Sequence, residues 1–468
     1  YATDPFHGAV RVAEVKRMVK ALHDNGLSVV MDVVYNHVYD AGAFCINQIV
    51  PGYFSRISSD GKYSNGSFCG NDTASERSMV RKYIVDSVCY WADEYHMDGF
   101  RFDIASLIDT VTINEIMTAV HRKHPNVIFY GEGWDMKTEL TKPGVQLAVQ
   151  TNSAMVPGFG FFSDTIRDLL RGTTFESTAP GFVAGAVVSK EALEACFMGM
   201  PSWAAQPNQC VNYASCHDNT TLFDRIALTA PDAPVESRIR MNNLAAAFYM
   251  LSQGVPFLQA GEEMLRTKPG KHGGFDDNSY RSPDSVNSLK WATLDKPEYQ
   301  DVLSYYKGLI AFRKAHKMFH MDREPRIMDY KSCGRPDVSY HGENAWKPEF
   351  ENFRRQFGIL YWGAYAKRPD GTDDANFYVA YNMHWEPHMF GLPHLPKGAR
   401  WRVICSTADP DVEDIPADRT GETLKNQMML AVPPRGIMIL ESFADPDGEK
   451  EAKHSKGKKE KMEKTEKA

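Results

Sequence analysis

Gly99-Phe-Arg-Phe-Asp103 is the stretch on which the fold turns. Four residues of strand character end on an acid, and Arg101 and Asp103 stand two apart, so both side chains leave the strand on the same side. Two further segments repeat the design: Glu132 lies in Tyr130-Gly-Glu-Gly-Trp134 and Asp218 in Cys216-His-Asp-Asn219. Each follows an apolar stretch that reads as a short buried strand. Separate strands that deliver acids to one rim are how a (β/α)8 barrel builds its site. Cleaving a glycosidic bond needs carboxyl groups on both sides of the anomeric carbon, one to attack and one to protonate the leaving oxygen.

Working outward, strand and helix patterns alternate. Arg11 to Asn25 carries Val12, Val15, Val19 and Leu22 at helical spacing, and Asn25-Gly26 supplies the stop. Leu27 to Val34 is a continuous apolar run, the pattern of a strand buried on both faces. Residues 40–75 read as loop. Glu76 to Tyr95 predicts a long helix with Met79, Tyr83, Ile84, Val88, Trp91 and Tyr95 on its apolar side. Strands at Gly99–Phe102, Val127–Tyr130, Phe159–Phe162, Val211–Ser215 and Val255–Gln259 follow, with helices at Ile113–His124, Thr165–Arg171, Ser237–Leu251 and Tyr299–His316. Regular alternation means a parallel sheet, and in a chain of this size a closed α/β barrel. Six strands are expected and the chain opens on a helix, so the (β/α)8 TIM barrel is expected to lack its first two strands here. A partial gene accounts for that, with a permuted or six-stranded barrel as the alternative. Beyond Met321 short β-rich runs take over: Phe377–Tyr381, Trp401–Ile404 and Ile437–Leu440, parted by Pro and Gly turns. The expected domains are a catalytic barrel at 1–320, a C-terminal antiparallel β-sandwich at 321–444 and a charged disordered tail at 445–468.

Composition excludes several classes. The 468 residues carry a formal charge of −7. From Glu449 onward eight Lys stand against five Glu, which leaves the rest of the chain at −10. An acidic body has no basic footprint for nucleic acid. No apolar run approaches the ~20 residues of a membrane span. With Trp 8, Tyr 21 and Phe 25 there are rings enough for a core and for stacking on a ligand. The eight cysteines form no Cys-x-x-Cys pair and read as free, buried thiols, which points to a reducing, cytoplasmic compartment. Asn219-Thr-Thr221 is a glycosylation acceptor beside Asp218, and a glycan there would block the site. Because the first residue is Tyr1 rather than Met, an extracellular location stays open.

Each acid has a bland reading beside the chemical one. Arg101 can pair with Asp103, lower its pKa and orient it as a nucleophile, or the two form a strand-end salt bridge. Trp134 can desolvate Glu132, as a general acid requires. Asp218 stands beside a hydrogen-bonding Asn219, or caps a helix. Asn36-His37 brings an imidazole to the same rim from the Val29–Val34 run.

Taken jointly, Asp32-Val-Val-Tyr-Asn-His37, Gly99-Phe-Arg-Phe-Asp103, Tyr130-Gly-Glu-Gly-Trp134 and Ser215-Cys-His-Asp-Asn219 resemble the four signature regions of glycoside hydrolase family 13, the α-amylase family. The resemblance implies Asp103 as nucleophile, Glu132 as acid/base and Asp218 as the residue that holds sugar hydroxyls and stabilises the transition state. It places His37, Arg101, Trp134, His217 and Asn219 in the sugar subsite. Within the family, Tyr63-Ser-Asn-Gly-Ser-Phe-Cys-Gly-Asn71, Met79-Val-Arg-Lys-Tyr-Ile-Val-Asp-Ser87, Phe161-Phe-Ser-Asp-Thr-Ile-Arg167 and His217-Asp-Asn-Thr-Thr-Leu222 are similar to type I pullulanases. That implies retaining hydrolysis of α-1,6 branch linkages in an α-glucan.

Departures are visible too. Phe68 replaces the more usual Gly, and Ile104-Ala-Ser106 differs from the usual Leu-Met-Gly. The segments Cys333-Gly-Arg-Pro-Asp337 and Tyr381-Asn-Met-His-Trp-Glu386 look closer to isoamylase-type glycogen debranching enzymes. An α-1,4 amylase or transglycosylase, a glucan-binding protein without catalysis and an inactive fragment are the other readings. Asn36 matches a position that ligates calcium in some amylases, yet no oxygen-rich loop declares a site, so no metal and no cofactor is expected.

Overall fold

The computed structural model describes residues 2–328, 334–348, 355–368, 370–407 and 421–445. The chain divides into two units. The first holds everything through Phe162 together with Ser202–Val211, and the second holds Ser163–Pro201 and the chain from Asn212 on.

In the first unit, helix α1 (Gly8–Asp24) leads into strand β1 (Val30–Val33), and the short helix α2 (Cys45–Ile49) interrupts the region read as loop. Helix α3 (Ser78–Tyr95), strand β2 (Gly99–Phe102), helix α4 (Thr110–His121) and strands β3 (Ile128–Gly131) and β4 (Phe159–Phe162) follow. The strands pair in parallel and in chain order, with Val30 opposite Gly99 and Phe102 opposite Gly131. Phe161 of β4 then pairs with Cys210 of β5 (Cys210–Asn212). This register makes the strand ends level, so Val33, Phe102 and Gly131 stand side by side and the residues after them form one rim. Phe100, Phe102, Phe129, Phe159 and Phe161 are buried between this sheet and the helices that cover it.

Two expectations need correction here. The buried stripe of α3 is Val80, Ile84, Val88, Ala92 and Tyr95, so Ile84, Val88 and Tyr95 are as expected, while Met79 and Tyr83 are exposed and Val80 and Ala92 take their side of the stripe. A helix with large apolar residues on more than one side does not reveal by composition which side a sheet will take. Strand β1 is shorter than the run that predicts it and is not buried on both faces: Leu27 and Val34 are exposed and Val30 and Met31 half-buried. Among the described residues it has a neighbour on one side only, β2.

The second unit carries helices α5 (Asp164–Arg171), α6 (Lys190–Phe197), α7 (Leu222–Thr229) and α8 (Val235–Leu251), strand β6 (Val255–Pro256), and helices α9 (Asp284–Asn287) and α10 (Pro297–Ala315). Phe257 N, just after β6, donates to Asn212 O at 2.8 Å, which continues the parallel ladder. The strand–helix repeat of a (β/α)8 barrel is thus present with six strands among the described residues. Strands β7 (Val338–His341), β8 (Gln356–Tyr361), β9 (Phe377–Asn382), β10 (His388–Gly391), β11 (Ala399–Ser406), β12 (Met429–Val432) and β13 (Gly436–Ala444) form two antiparallel sheets, ordered β11-β13-β9-β8-β7 and β10-β12. Alternation along β9 explains the layering. Phe377, Val379 and Tyr381 join the core that also takes in Phe248 of α8 and Phe312 of α10, while Tyr378 and Ala380 pack with Phe390, Trp401 and Leu430.

Of the cysteines, Cys196, Cys210 and Cys405 are buried as expected, but Cys45 and Cys69 are exposed and Cys89 and Cys216 only partly covered; no disulfide joins any of the described cysteines. Cys216 stands where the buried run 210–215 gives way to exposed His217 and Asp218, Cys89 lies next to exposed Tyr90 on α3, and Cys45 and Cys69 lie on the surface of the 40–75 region. Cys333 and residues 446–468, the bulk of the expected tail, lie outside the described residues. No described helix is long and apolar enough to cross a membrane.

Candidate active site

Asp103 and Glu132 each stand one residue beyond a strand end, and backbone hydrogen bonds fix both. Asp103 N donates to Val33 O at 3.0 Å and Glu132 N to Phe102 O at 3.2 Å. Gly131 is required at this level, since a Cβ there would lie 2.4 Å from Phe102 O. The two carboxylates share one guanidinium. Arg101 Nη1 donates to Asp103 Oδ1 at 3.1 Å and its Nη2 donates to Glu132 Oε1. Nη1 also reaches Asp32 Oδ1 at 2.9 Å. Burial opposes the charge of Arg101, but Glu132, Asp32 and Asp103 outweigh it and hold the guanidinium above its ordinary pKa. The arginine is therefore a fixed cation that aims two acids.

The strand-end salt bridge between Arg101 and Asp103 is present, but as part of a larger network. Asn36 Nδ2 donates to Asp103 Oδ2 at 2.8 Å and to Asp103 O at 2.6 Å, and His37 Nδ1 donates to Asn36 Oδ1. Glu132 Oε2 accepts from Ile104 N at 3.1 Å. That amide is aimed by Ile104 itself, which sits at φ +34°. A β-branched residue there costs ~1–3 kcal/mol, strain of the kind stored where a site needs it. Trp134, expected to desolvate Glu132, is partly buried on the loop beyond it. The expectation of Arg101 as a sugar contact meets a side chain that is nine-tenths buried and given over to three carboxylates.

Asp32 and Asn36 are the residues that the sequence reading quotes without giving a role in orienting the acids. A signal for Asp32 was available, because an acid inside the run Val29-Val-Met-Asp-Val-Val34 calls for a cation on the next strand, and Arg101 is its register partner. Nothing in the sequence points Asn36 at Asp103.

His217, Asp218 and Asn219 belong to the second unit, on the loop after β5. His217 Nε2 lies 3.6 Å from Asp218 Oδ1, and both side chains are exposed. Asp218 is not a helix cap; Thr221 caps α7, accepting from Asp224 N at 3.2 Å. Asn219 takes φ +63°, a conformation Asn tolerates, and so turns the chain beside the acid. The loop is held from within: buried Lys268 donates from Nζ to His217 O at 2.9 Å, and Ser215 Oγ donates to Glu262 Oε2 at 2.9 Å.

Glu262 is fully buried and also accepts from Tyr249 OH at 2.6 Å and Tyr306 OH at 2.9 Å. Burial raises its pKa against the pull of these three hydroxyls. Glu262→Leu would strand them without an acceptor, and an expected loss of about 3 kcal/mol should appear as a lowered urea midpoint.

Carboxylates gripped by one guanidinium at the ends of neighbouring parallel strands make a site of the kind used on glycosidic bonds. Comparison with known proteins agrees. Residues 69–296 match the alpha amylase catalytic domain, and the chain carries a catalytic domain of that family, glycoside hydrolase family 13, homologous to pullulanases and to an isoamylase. It is 39% identical over 340 residues to a pullulanase of Bacillus subtilis (strain 168), covering 71% of this chain and 46% of that protein. An isoamylase of a Flavobacterium species is 27% identical over 492 residues, covering 90% of this chain and 59% of that protein. Among solved structures, a pullulanase from Paenibacillus barengoltzii in complex with maltohexaose and α-cyclodextrin superposes with a TM-score of 0.78 at 35% identity, over 94% of this chain and 62% of that one. The chain thus spans less than half the length of the Bacillus subtilis relative and under two thirds of the Paenibacillus chain.

Proposed function

We propose that this chain hydrolyses α-1,6 branch linkages in an α-glucan such as pullulan, starch-derived dextrin or glycogen, with retention of configuration. The observation that carries the reading is the shared guanidinium of Arg101, which sets Asp103 and Glu132 together on adjacent strand ends. In this chemistry Asp103 attacks the anomeric carbon while Glu132 gives its proton to the branch oxygen. Water, deprotonated by Glu132, then releases the sugar from Asp103. Arg101 and Asn36 position the nucleophile. Asp218 takes the sugar hydroxyls, with His37, Trp134, His217 and Asn219 as the remaining contacts, roles resting on their motifs. The proposed steps use only the chain's own groups and water, with residues 1–320 as the catalytic domain.

Incubation with pullulan is expected to release maltotriose, and proton NMR at early times should show the α anomer first. Release of the β anomer would overturn the two-step route. The isoamylase similarity, which covers more of this chain than the Bacillus subtilis relative does, supports glycogen as the second substrate to try. Faster debranching of glycogen than of pullulan would favour it.

A further inference from the structure

The loop from Ser64 to Asp72 is braced on both sides within the first unit. Asn71 exchanges two hydrogen bonds with the backbone of Val38, from Val38 N to Oδ1 at 3.0 Å and from Nδ2 to Val38 O at 2.6 Å. This ties the loop to the segment that holds Asn36 and His37. On the other side Asp72 Oδ2 accepts from Ser64 Oγ at 2.7 Å and from Thr138 Oγ1 at 2.6 Å, a residue of the loop that follows Glu132. Gly66 presses so closely on that second loop that a Cβ would lie 2.3 Å from Lys137 O. Internal bonds complete the brace: Gly70 N donates to Asn65 Oδ1 at 2.7 Å and Ser67 Oγ to Asn71 O at 2.7 Å.

On this rigid support sits Phe68, at φ +59° and 82% exposed. Either feature alone means little, since exposed rings are common on any surface and Tyr39 is fully exposed. Together they are costly: the left-handed backbone favours Gly, and the ring gains nothing from burial to offset the strain. The loop is not free to relax, so the ring stands where it is put. The site is close, for the end of this loop is bonded to the residue that holds Asp103: Thr73 N donates to Asn36 O at 2.8 Å, and Asn36 Nδ2 to Asp103 Oδ2 at 2.8 Å.

We propose that Phe68 is a stacking platform for the apolar face of a glucosyl unit of the α-glucan, at the rim beside Asp103. A flat ring held rigidly is the group that a pyranose C–H face packs against, and at a position whose backbone suits Gly it adds a contact that a glycine could not make. The inference deepens the function proposed above and rests on it only for the identity of the glucan.

The test uses the full chain and three proteins, the parent, Phe68→Gly and Phe68→Trp. Pullulan hydrolysis is followed for KM and kcat, and maltohexaose binding by calorimetry in an Asp103→Asn background. Phe68→Gly is expected to weaken maltohexaose binding and raise KM by about fivefold to tenfold, the worth of one covered ring face, with the loss falling on KM. Its Tm should hold or rise by up to ~3 °C as the strain is relieved. Phe68→Trp should restore binding, which a merely structural role would not require. Unchanged binding and KM in Phe68→Gly would overturn the platform. So would a loss that comes with a fall in Tm and is not recovered by Trp. If the parent binds maltohexaose through Phe68 but hydrolyses neither pullulan nor glycogen, the platform stands and the proposed function falls. If hydrolysis is intact and indifferent to Phe68, the reverse holds; a parent that fails to bind maltohexaose sinks the platform.

Discussion

Asp103→Asn is expected to abolish the release of reducing ends from pullulan, by about 10⁴-fold or more. The reason is covalent. An amide of the same shape cannot attack the anomeric carbon; of the other two acids that Arg101 binds, Glu132 is needed as proton donor and Asp32 is tied to the same Nη1. The fold should survive. Asp103 is about a quarter exposed, so water can satisfy the amide where it meets Arg101 or Asn36 as donor against donor. Unfolding midpoints of parent and variant should therefore agree within a few degrees. A residual rate within tenfold of the parent would remove Asp103 from the role of nucleophile.

How much of this was legible in the sequence depends on what each residue has for neighbours. Gly99–Phe102 and Phe159–Phe162 are strands to the residue because all four positions of each are buried; the aromatic residues carry the signal in both, and Arg101 is the one charge set among them. The acids after β2 and β3 were legible because each closes a strand one strand–helix repeat from the other, which puts both on one rim. Strand β5 was read as longer than it is: Tyr213, Ala214 and Ser215 are buried and apolar enough to pass for strand, but they already belong to the turn held by Glu262 and Lys268. Helices α6 and α7 were missed, since the caps that start them, Ser189 and Thr221, are ordinary loop residues until the fold gives them a helix to cap. Sequence carried the chemistry of Asp103 but not the partners that orient it. Arg101 could be read from alternation along one strand, while Asn36 comes from another strand end, and its aim is set by packing.

The loops that frame the candidate site depend on a charge pair that is itself out of water, and this leads to the second large effect. Arg56 and Glu76 are 0% and 1% exposed, with Nη2 2.8 Å from Oε2. Oε1 accepts from Thr141 N at 3.0 Å and Thr141 Oγ1 at 2.8 Å, so the pair joins the end of the 54–76 segment to the loop that follows Glu132. Burial would raise the pKa of Glu76, but Arg56 prevails and lowers it from 4.5 to about 2. A folded pKa depressed in this way contributes stability that is complete above the unfolded value near 4.5. That stability drains as pH falls towards 2. The shift corresponds to roughly 3 kcal/mol. Glu76→Gln leaves Arg56 buried without its counter-charge, so the expected loss at pH 7 is about 3–5 kcal/mol. Urea midpoints of parent and variant should converge as pH is lowered below 4.5, because protonation does to the parent what the substitution has done already. A gap that stays constant down to the acid limit would mean that the ion pair is not its source. The double change Arg56→Met with Glu76→Leu separates stability from positioning, since an apolar pair of similar size removes the uncompensated charge and can restore the fold. It does not restore the grip on Thr141. If stability returns while pullulan hydrolysis stays impaired, the pair serves the loops beside Glu132 as well as the fold; if both return, its task is the fold alone.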